Sequence, residues 1–351
     1  MLENIGQGGA ERQLIGLATM LAKEENEVKI IIYDADFFYL PLIRGTGVEC
    51  VYLPKAKNKF RRIPIITNYI KQYKPDIVVA FLRTPSILSC LAKRKLHNFK
   101  LIVSERNTTQ QITFADRIKF YLYKYADYVV PNSYSQQDFI RMYFPELASK
   151  TITITNFTDT DYFYPAVFVS SSDYLHIICV GRVCAQKNVK IFIDAIRKVT
   201  DMGLAIKVDW YGLAFHPYFE ECLKRLKLMH LENAFHFHQE TSDIRTVYQN
   251  ANVLILPSIY EGFPNVICEA MSCGLPVLCS NVCDNGRIVR DGVNGYLFAP
   301  QEVDDIVDSI TKFAKLRKVE IESMRRKSRE FALADFSMVA FFDKYKKIMY
   351  E

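Results

Sequence analysis

Apolar residues along the chain gather into short runs separated by longer stretches in which they recur at helical spacing, an alternation that predicts parallel strands joined by helices. In the first half the runs are 28–33, 48–53, 77–81, 101–104 and 128–130; in the second they lie near 176–180, 206–211, 234–238, 253–256 and 276–279. The rhythm breaks once, around 165–173, where Ser170-Ser171-Ser172 interrupts it. The pattern therefore predicts an α/β chain of two Rossmann-like domains, 1–165 and 173–335, and an amphipathic helix over 336–351.

Two strand-to-helix turns in the second half carry the candidate chemistry. Val253-Leu254-Ile255-Leu256 reads as a buried parallel strand, ended by Pro257-Ser258 at the edge where open α/β sheets bind ligands. A helix is expected from Pro264 to Cys273, with Pro264 at its first position and Gly274 as its left-handed stop. That leaves the backbone N–H groups of Gly262, Phe263, Asn265 and Val266 to attract anions or hydroxyls, with Glu261 and Glu269 flanking them. A carboxylate here is either an ordinary cap or a charge-assisted ligand for hydroxyls. The run after 176–180 is Gly181-Arg182-Val183-Cys184-Ala185-Gln186-Lys187-Asn188, followed by a helix from Val189 to about Thr200. Singly, Arg182 and Lys187 are the solvated cations usual on a turn. Together with the glutamate turn they supply positive charge for a diphosphate and acceptors for sugar or ribose hydroxyls.

On these residues the chain resembles the retaining glycosyltransferases of family 4, of the type acting in bacterial surface-polysaccharide synthesis. The matching motifs are Gly8-Gly9-Ala10-Glu11-Arg12, Gly181-Arg182 with Lys187, Glu261 and Glu269 around Glu-Gly-Phe-Pro, and Asp291-Gly292-Val293-Asn294-Gly295-Tyr296-Leu297. The resemblance spans nearly the whole chain and is most specific between 176 and 300. It implies a GT-B fold: two facing Rossmann-like domains with a cleft between them, and a last helix that crosses back to the first domain. It also implies that Arg182 and Lys187 hold the donor diphosphate and that Glu261, with the amides of Gly262, Phe263 and Asn265 beside Pro264, takes the donor sugar. Glu269 is implied on the ribose, Gly8 and Gly9 near the diphosphate, and Glu11 and Arg12 in shaping that loop or forming a structural ion pair. Base recognition is implied near Tyr211-Gly212 and His238-Gln239-Glu240. Catalysis then falls to Arg182, Lys187 and Glu261, without metal or other cofactor.

Composition narrows the setting. At 351 residues the chain has room for two cores, and no uninterrupted apolar run reaches the 18 or so residues of a spanning helix. No signal peptide is visible, and nine cysteines without a CxxC pair read as small core residues of a reducing compartment. The net charge of +6 lies wholly in residues 1–170, which hold 22 Lys and Arg against 16 Asp and Glu. Its densest part is Lys55-Ala56-Lys57-Asn58-Lys59-Phe60-Arg61-Arg62, with Lys93-Arg94-Lys95 as a second cluster. These are either a solvated face or a surface for anionic lipid, to which Phe60 and the series Phe114, Phe120, Tyr121, Tyr123 and Tyr125 are suited. No nucleic-acid-binding module accompanies them.

Two features depart from the family pattern. Only Met1 to Ile5 precede Gly6, where a buried central strand is usual, so the first strand is expected to be short or missing. After the fourth strand the chain reads Val103-Ser104-Glu105-Arg106-Asn107, without the histidine many relatives carry, which puts Glu105 or Arg106 forward in its place. The six histidines show no metal or triad spacing, and Asp34-Ala35-Asp36 and Asp159-Thr160-Asp161 sit in the wrong context for a metal-dependent transferase.

The expected function is transfer of a hexose or N-acetylhexosamine, from a donor more consistent with UDP than GDP, onto a lipid-linked saccharide in capsule, O-antigen or lipopolysaccharide synthesis. The expected location is cytoplasmic, peripheral at the inner face of the plasma membrane. A sugar-nucleotide epimerase of the same fold and a non-catalytic sugar-nucleotide-binding protein are the alternatives.

Overall fold

The computed structural model describes residues 1–109, 111–166 and 173–351. The expected break at Ser170-Ser171-Ser172 lies outside the described residues. The chain divides into two compact units, Met1–Phe157 with Phe341–Glu351, and Thr158–Ala340. The division falls earlier than 165 because the segment from Thr158 is already tied into the second unit. Thr158 N–H donates to Phe336 O at 2.7 Å, and Arg329 donates to the carbonyls of Thr160 and Phe163 at 3.1 and 2.8 Å.

In the first unit, β1 (Val28–Ile32) pairs in parallel with β2 (Val48–Tyr52), and β3 (Ile77–Phe81), β4 (Lys100–Glu105) and β5 (Tyr128–Pro131) form a second parallel set. Residues 1–5 supply a stub between β1 and β3. Leu2 N–H donates to Ile31 O at 3.1 Å, Phe81 N–H donates to Met1 O at 3.1 Å, and the side chains of Leu2 and Ile5 are fully buried. No regular strand is formed by residues 1–5, and the two parallel sets remain separate.

The last helix, Met338–Tyr350, packs on this unit. Phe341 meets the Phe157 ring at 5.1 Å, and Lys100 Nζ donates to Met349 O at 2.9 Å among the last carbonyls of the helix. It is not continuous with residue 336 as expected. The preceding helix, Lys318–Phe336, ends with Phe336 against Phe263 of the second unit, and extended Ser337 restarts the chain, its Oγ accepting from Ala340 N–H at 3.2 Å.

Exposure sorts the basic and aromatic residues of this unit. Phe60 is 95% exposed, and Lys55, Lys59 and Arg61 flank it in water. Lys57 instead pairs with Asp34 at 3.0 Å, and the Arg62 guanidinium lies over the Tyr33 ring at 4.3 Å. Of the expected interfacial aromatics, Phe120 and Tyr123 are fully buried, and Tyr125 is half-buried, so they belong to the core and its margin. On the helix Phe114–Leu122, the exposed apolar face is Phe114, Ile118 and Tyr121, at i, i+4 and i+7.

The second unit is a six-stranded parallel sheet of β6 (Leu175–Val180), β7 (Ile206–Tyr211), β8 (Phe235–His238), β9 (Val253–Leu256), β10 (Val277–Ser280) and β11 (Gly295–Phe298). Its order is β11-β10-β9-β6-β7-β8. β11 lay hidden within the Asp291–Leu297 motif, whose work is structural: Asp291 Oδ1 accepts from Leu297 N–H at 2.8 Å, and buried Asn294 accepts from Arg290 N–H at 2.7 Å, fixing the turn before this edge strand. Three histidines of no recognisable spacing converge on buried Asp209. His176 and His238 each approach its carboxylate at 2.7 Å and Lys207 at 2.8 Å, with His236 at 3.8 Å. Burial alone would raise the Asp209 pKa, but the hydrogen bonds from His176, Lys207 and His238 outweigh it and hold the carboxyl well below its ordinary value.

Candidate active site

Strand order places the site. β6 lies between β7 and β9, so successive connections run outward on both sides and the loops after β6 and β9 emerge as neighbours at the switch point, where open parallel sheets bind ligands. Gln186 stitches the two loops. Its carbonyl accepts from Ile259 N–H at 2.8 Å and its side-chain Nε2 donates to Tyr260 O at 3.0 Å. Gln186 gives no local signal in the sequence, because its role is to bridge two loops that meet only in the fold.

Beneath the loops the backbone is crowded. Gly181 has φ +150°, and a Cβ there would sit 2.9 Å from Lys187 Cε; Gly212, with φ +152°, would place one 2.2 Å from Gly181 O. Trp210, fully buried, donates its indole N–H to that same Gly181 oxygen at 2.8 Å. These contacts hold the turn down so that Lys187 crosses over Gly181. Its ammonium reaches Glu261 at 2.6 Å, with side chains only 10% and 9% exposed. The structure therefore brings Lys187 and Glu261 into direct contact as a buried, hydrogen-bonded ion pair. Arg182 differs: it is exposed, 3.4 Å from Gln186 Oε1, with its guanidinium 5.7 Å from the centre of the Phe215 ring.

The glutamate turn is rearranged relative to expectation. The helix is Asn265–Ser272, and Pro264, with φ −82° and ψ 80°, precedes it rather than opening it. The cause is local. Asn265 N–H turns back to Phe263 O at 3.0 Å, which withdraws that amide from the helix mouth and leaves Gly262, Phe263 and Val266 there. Phe263 itself is buried against Phe336 and serves as an anchor. Gly274 has φ +71°, the left-handed stop expected after this helix. Glu269 stands on the second turn, half-buried, and its Oε2 accepts from the Tyr248 hydroxyl at 3.1 Å. Burial, then the charge of Glu269, push that hydroxyl well above the ordinary tyrosine range, so it stays a donor. Tyr248 is a second positioning residue with no local signal in the sequence.

In the first unit, Gly8 precedes the helix Gly9–Lys23, and Glu11 folds back on it closely enough that a Cβ on Gly8 would meet Glu11 Oε2 at 2.0 Å. Burial raises the Glu11 carboxyl above its ordinary pKa, with Glu3 and Asp36 adding to it. Glu105 and Arg106 are committed to structure. Glu105 is buried against Lys119 at 2.7 Å and the Tyr123 hydroxyl; Arg106 donates to Asn156 at 2.8 Å and Tyr345 at 3.0 Å, over the Phe81 ring. Both border a cavity of about 240 Å³ with Arg83, Thr108 and Asp116.

Residues 163–332 match the family described as Glycosyl transferases group 1, and residues 7–162 match Glycosyltransferase Family 4. The chain is 25% identical over 318 residues to an uncharacterized glycosyltransferase of Haemophilus influenzae, covering 88% of this chain and 87% of that protein. It is 26% identical over 286 residues to the lipopolysaccharide 1,6-galactosyltransferase of Salmonella typhimurium, covering 76% and 72%. The solved structure of HepE from Anabaena in complex with UDP superposes with a TM-score of 0.83 at 20% identity, covering 99% of this chain and 97% of that one, and shares the GT-B fold.

Proposed function

The chain belongs to the glycosyltransferases, with a group 1 domain behind a family 4 domain, and from that premise we propose that it moves a hexose or N-acetylhexosamine from a UDP-sugar to a lipid-linked saccharide, with retention, in cell-envelope polysaccharide synthesis. The observation that carries this reading is the meeting of Lys187 and Glu261 at the switch point, with exposed Arg182 on one side and Glu269 on the helix that follows. The names of the Salmonella relative and the UDP-bound Anabaena structure agree with this choice of substrates.

Each residue has a distinct part. Glu269, aimed by Tyr248, accepts the ribose hydroxyls. Arg182 faces the diphosphate from solvent and offsets the charge that grows on it as it leaves. Lys187 holds Glu261 oriented toward the donor sugar, while its remaining N–H groups serve the diphosphate. No metal ion is assigned a part. The bond from the anomeric carbon to the phosphate oxygen breaks and one to the acceptor oxygen forms on the same face, with the acceptor proton passing to the leaving phosphate oxygen. Glu261 and Glu269 bind and orient, and are not an acid and nucleophile pair. The test is incubation with UDP-glucose, UDP-galactose and UDP-N-acetylglucosamine plus a lipid-linked saccharide, followed by NMR of the product. An α-linked product supports the reading; a β-linked product, or conversion of the donor without acceptor, would sink it.

The same reading places the protein at the inner face of the plasma membrane. No helix among the described residues is long and apolar enough to cross a membrane. Lys55, Lys59 and Arg61 around Phe60 are exposed. Replacing these three by Gln should weaken binding to vesicles rich in phosphatidylglycerol by about 3 kcal/mol, roughly a hundredfold, at about 1 kcal/mol per cation. UDP affinity should not change. Unaltered vesicle binding in co-sedimentation would remove the membrane role of this segment.

A further inference from the structure

β10 lies between β9 and β11, and the turn that leaves it is anchored before it meets the site. Asn281 N–H donates to Phe298 O of β11 at 2.8 Å, and buried Asn285 donates through Nδ2 to Ser280 O at 2.9 Å. Gly286 fits so closely against Asn281 that a Cβ would come 2.5 Å from its Oδ1. From this anchored turn two groups reach the turn after β9. Buried Ser280 donates its hydroxyl to Ser258 O at 2.6 Å, and Cys283 Sγ accepts from Glu261 N–H at 3.5 Å. Glu261 is thus held twice, its carboxylate by Lys187 at 2.6 Å and its amide by Cys283. Cys283 takes part at a cost, since its φ of +49° lies in the left-handed region that a residue with a β-carbon disfavours. Such a conformation persists where the surroundings fix it, and it gathers at functional turns. Burial raises the thiol above its ordinary pKa, so the acceptor is the sulfur of a neutral thiol. The bond fixes the peptide plane between Tyr260 and Glu261, from which the Glu261 side chain departs toward Lys187.

We propose that Cys283 is a positioning residue for transfer: its sulfur pins the Glu261 peptide to the turn after β10, so that the carboxylate meets the donor sugar in the reacting geometry. The inference rests on the reading of Glu261 as the group that takes the donor sugar. Lys187 sets the direction of the carboxylate and Cys283 sets where its backbone stands, and a small displacement of either is felt in the rate. Nucleotide binding is left to Glu269, which stands on the second turn of the following helix and is held by Tyr248. Loss of the sulfur therefore separates turnover from nucleotide affinity.

The experiment uses Cys283→Ala, which removes the acceptor, and Cys283→Gly, which removes it and also relieves the left-handed strain. Both should speed hydrogen exchange of the Glu261 amide by about tenfold and lower kcat by about tenfold, the scale of one lost hydrogen bond. The Kd for UDP should stay at the wild-type value in both. In a Glu261→Gln background, Cys283→Ala should lower the rate no further, because the sulfur acts only through the carboxylate. Exchange needs no substrate and reads the bond by itself. Unchanged exchange of the Glu261 amide in both variants, or wild-type kcat in either, overturns the proposal. A loss that adds in full to that of Glu261→Gln, or a matching loss of UDP affinity, also overturns it, since either would make Cys283 a support of the fold alone. Absence of transfer by the wild type from every UDP-sugar, with the exchange difference present, overturns the reading of the site and this role with it; the exchange difference separates that result from a failure of Cys283 alone.

Discussion

Lys187→Met is expected to lower transfer by about 10² to 10³ and to destabilise the second unit by roughly 3–5 kcal/mol. Both losses come from one contact. The ammonium lies 2.6 Å from Glu261 with both side chains nearly excluded from water, so removing it leaves a buried carboxylate with no counter-charge. The same carboxylate then lacks the partner that aims it at the donor sugar. A double-mutant cycle separates the two effects. Lys187→Met combined with Glu261→Leu should recover most of the stability in urea unfolding, because no charge is left stranded, yet should recover none of the rate. A Lys187→Met protein that unfolds at the wild-type urea concentration would contradict the buried pair.

Arg182→Ala should cost a similar factor in turnover, about 10² to 10³, while stability stays within about 0.5 kcal/mol. Its guanidinium is exposed, with Gln186 and the Phe215 ring as its neighbours, and neither contact is deep enough to matter for folding. Arg182 and Lys187 carry the same charge on the same turn, so the contrast between them isolates burial. Steady-state kinetics alongside urea unfolding reads it directly. A wild-type rate for Arg182→Ala would remove it from the diphosphate.

The strands that form the site were legible because each is a short apolar run closed by turn residues, and ten of the eleven strands among the described residues were expected within a residue or so at either end. β11 was not, since Gly295-Tyr296-Leu297-Phe298 follows a glycine-rich turn and reads as part of a motif. The site residues were legible as types. Their pairing was not, because Lys187 and Glu261 are brought together by the adjacency of β6 and β9, a tertiary fact that no spacing along the chain encodes. Gln186 and Tyr248 were missed for the same reason: one acts across two loops, and the other reaches Glu269 from a neighbouring helix. Phe120 and Tyr123 show the converse error, where an aromatic series of five looked like a surface and two of its members filled the core. Glu105 and Arg106 stood beside the place of an expected catalytic group, yet their hydrogen bonds spend them on the first unit's own structure.

The central claim is that the turn after β9 and the helix behind it hold the nucleotide of a sugar donor. Calorimetric titration of UDP into the wild-type protein and into Glu269→Ala, without divalent metal, tests it most directly. UDP should bind the wild type and bind Glu269→Ala roughly 10- to 100-fold more weakly, the scale of charge-assisted hydrogen bonds worth about 1.5–3 kcal/mol. Equal affinity in the two folded proteins would contradict the ribose assignment and the site built around it.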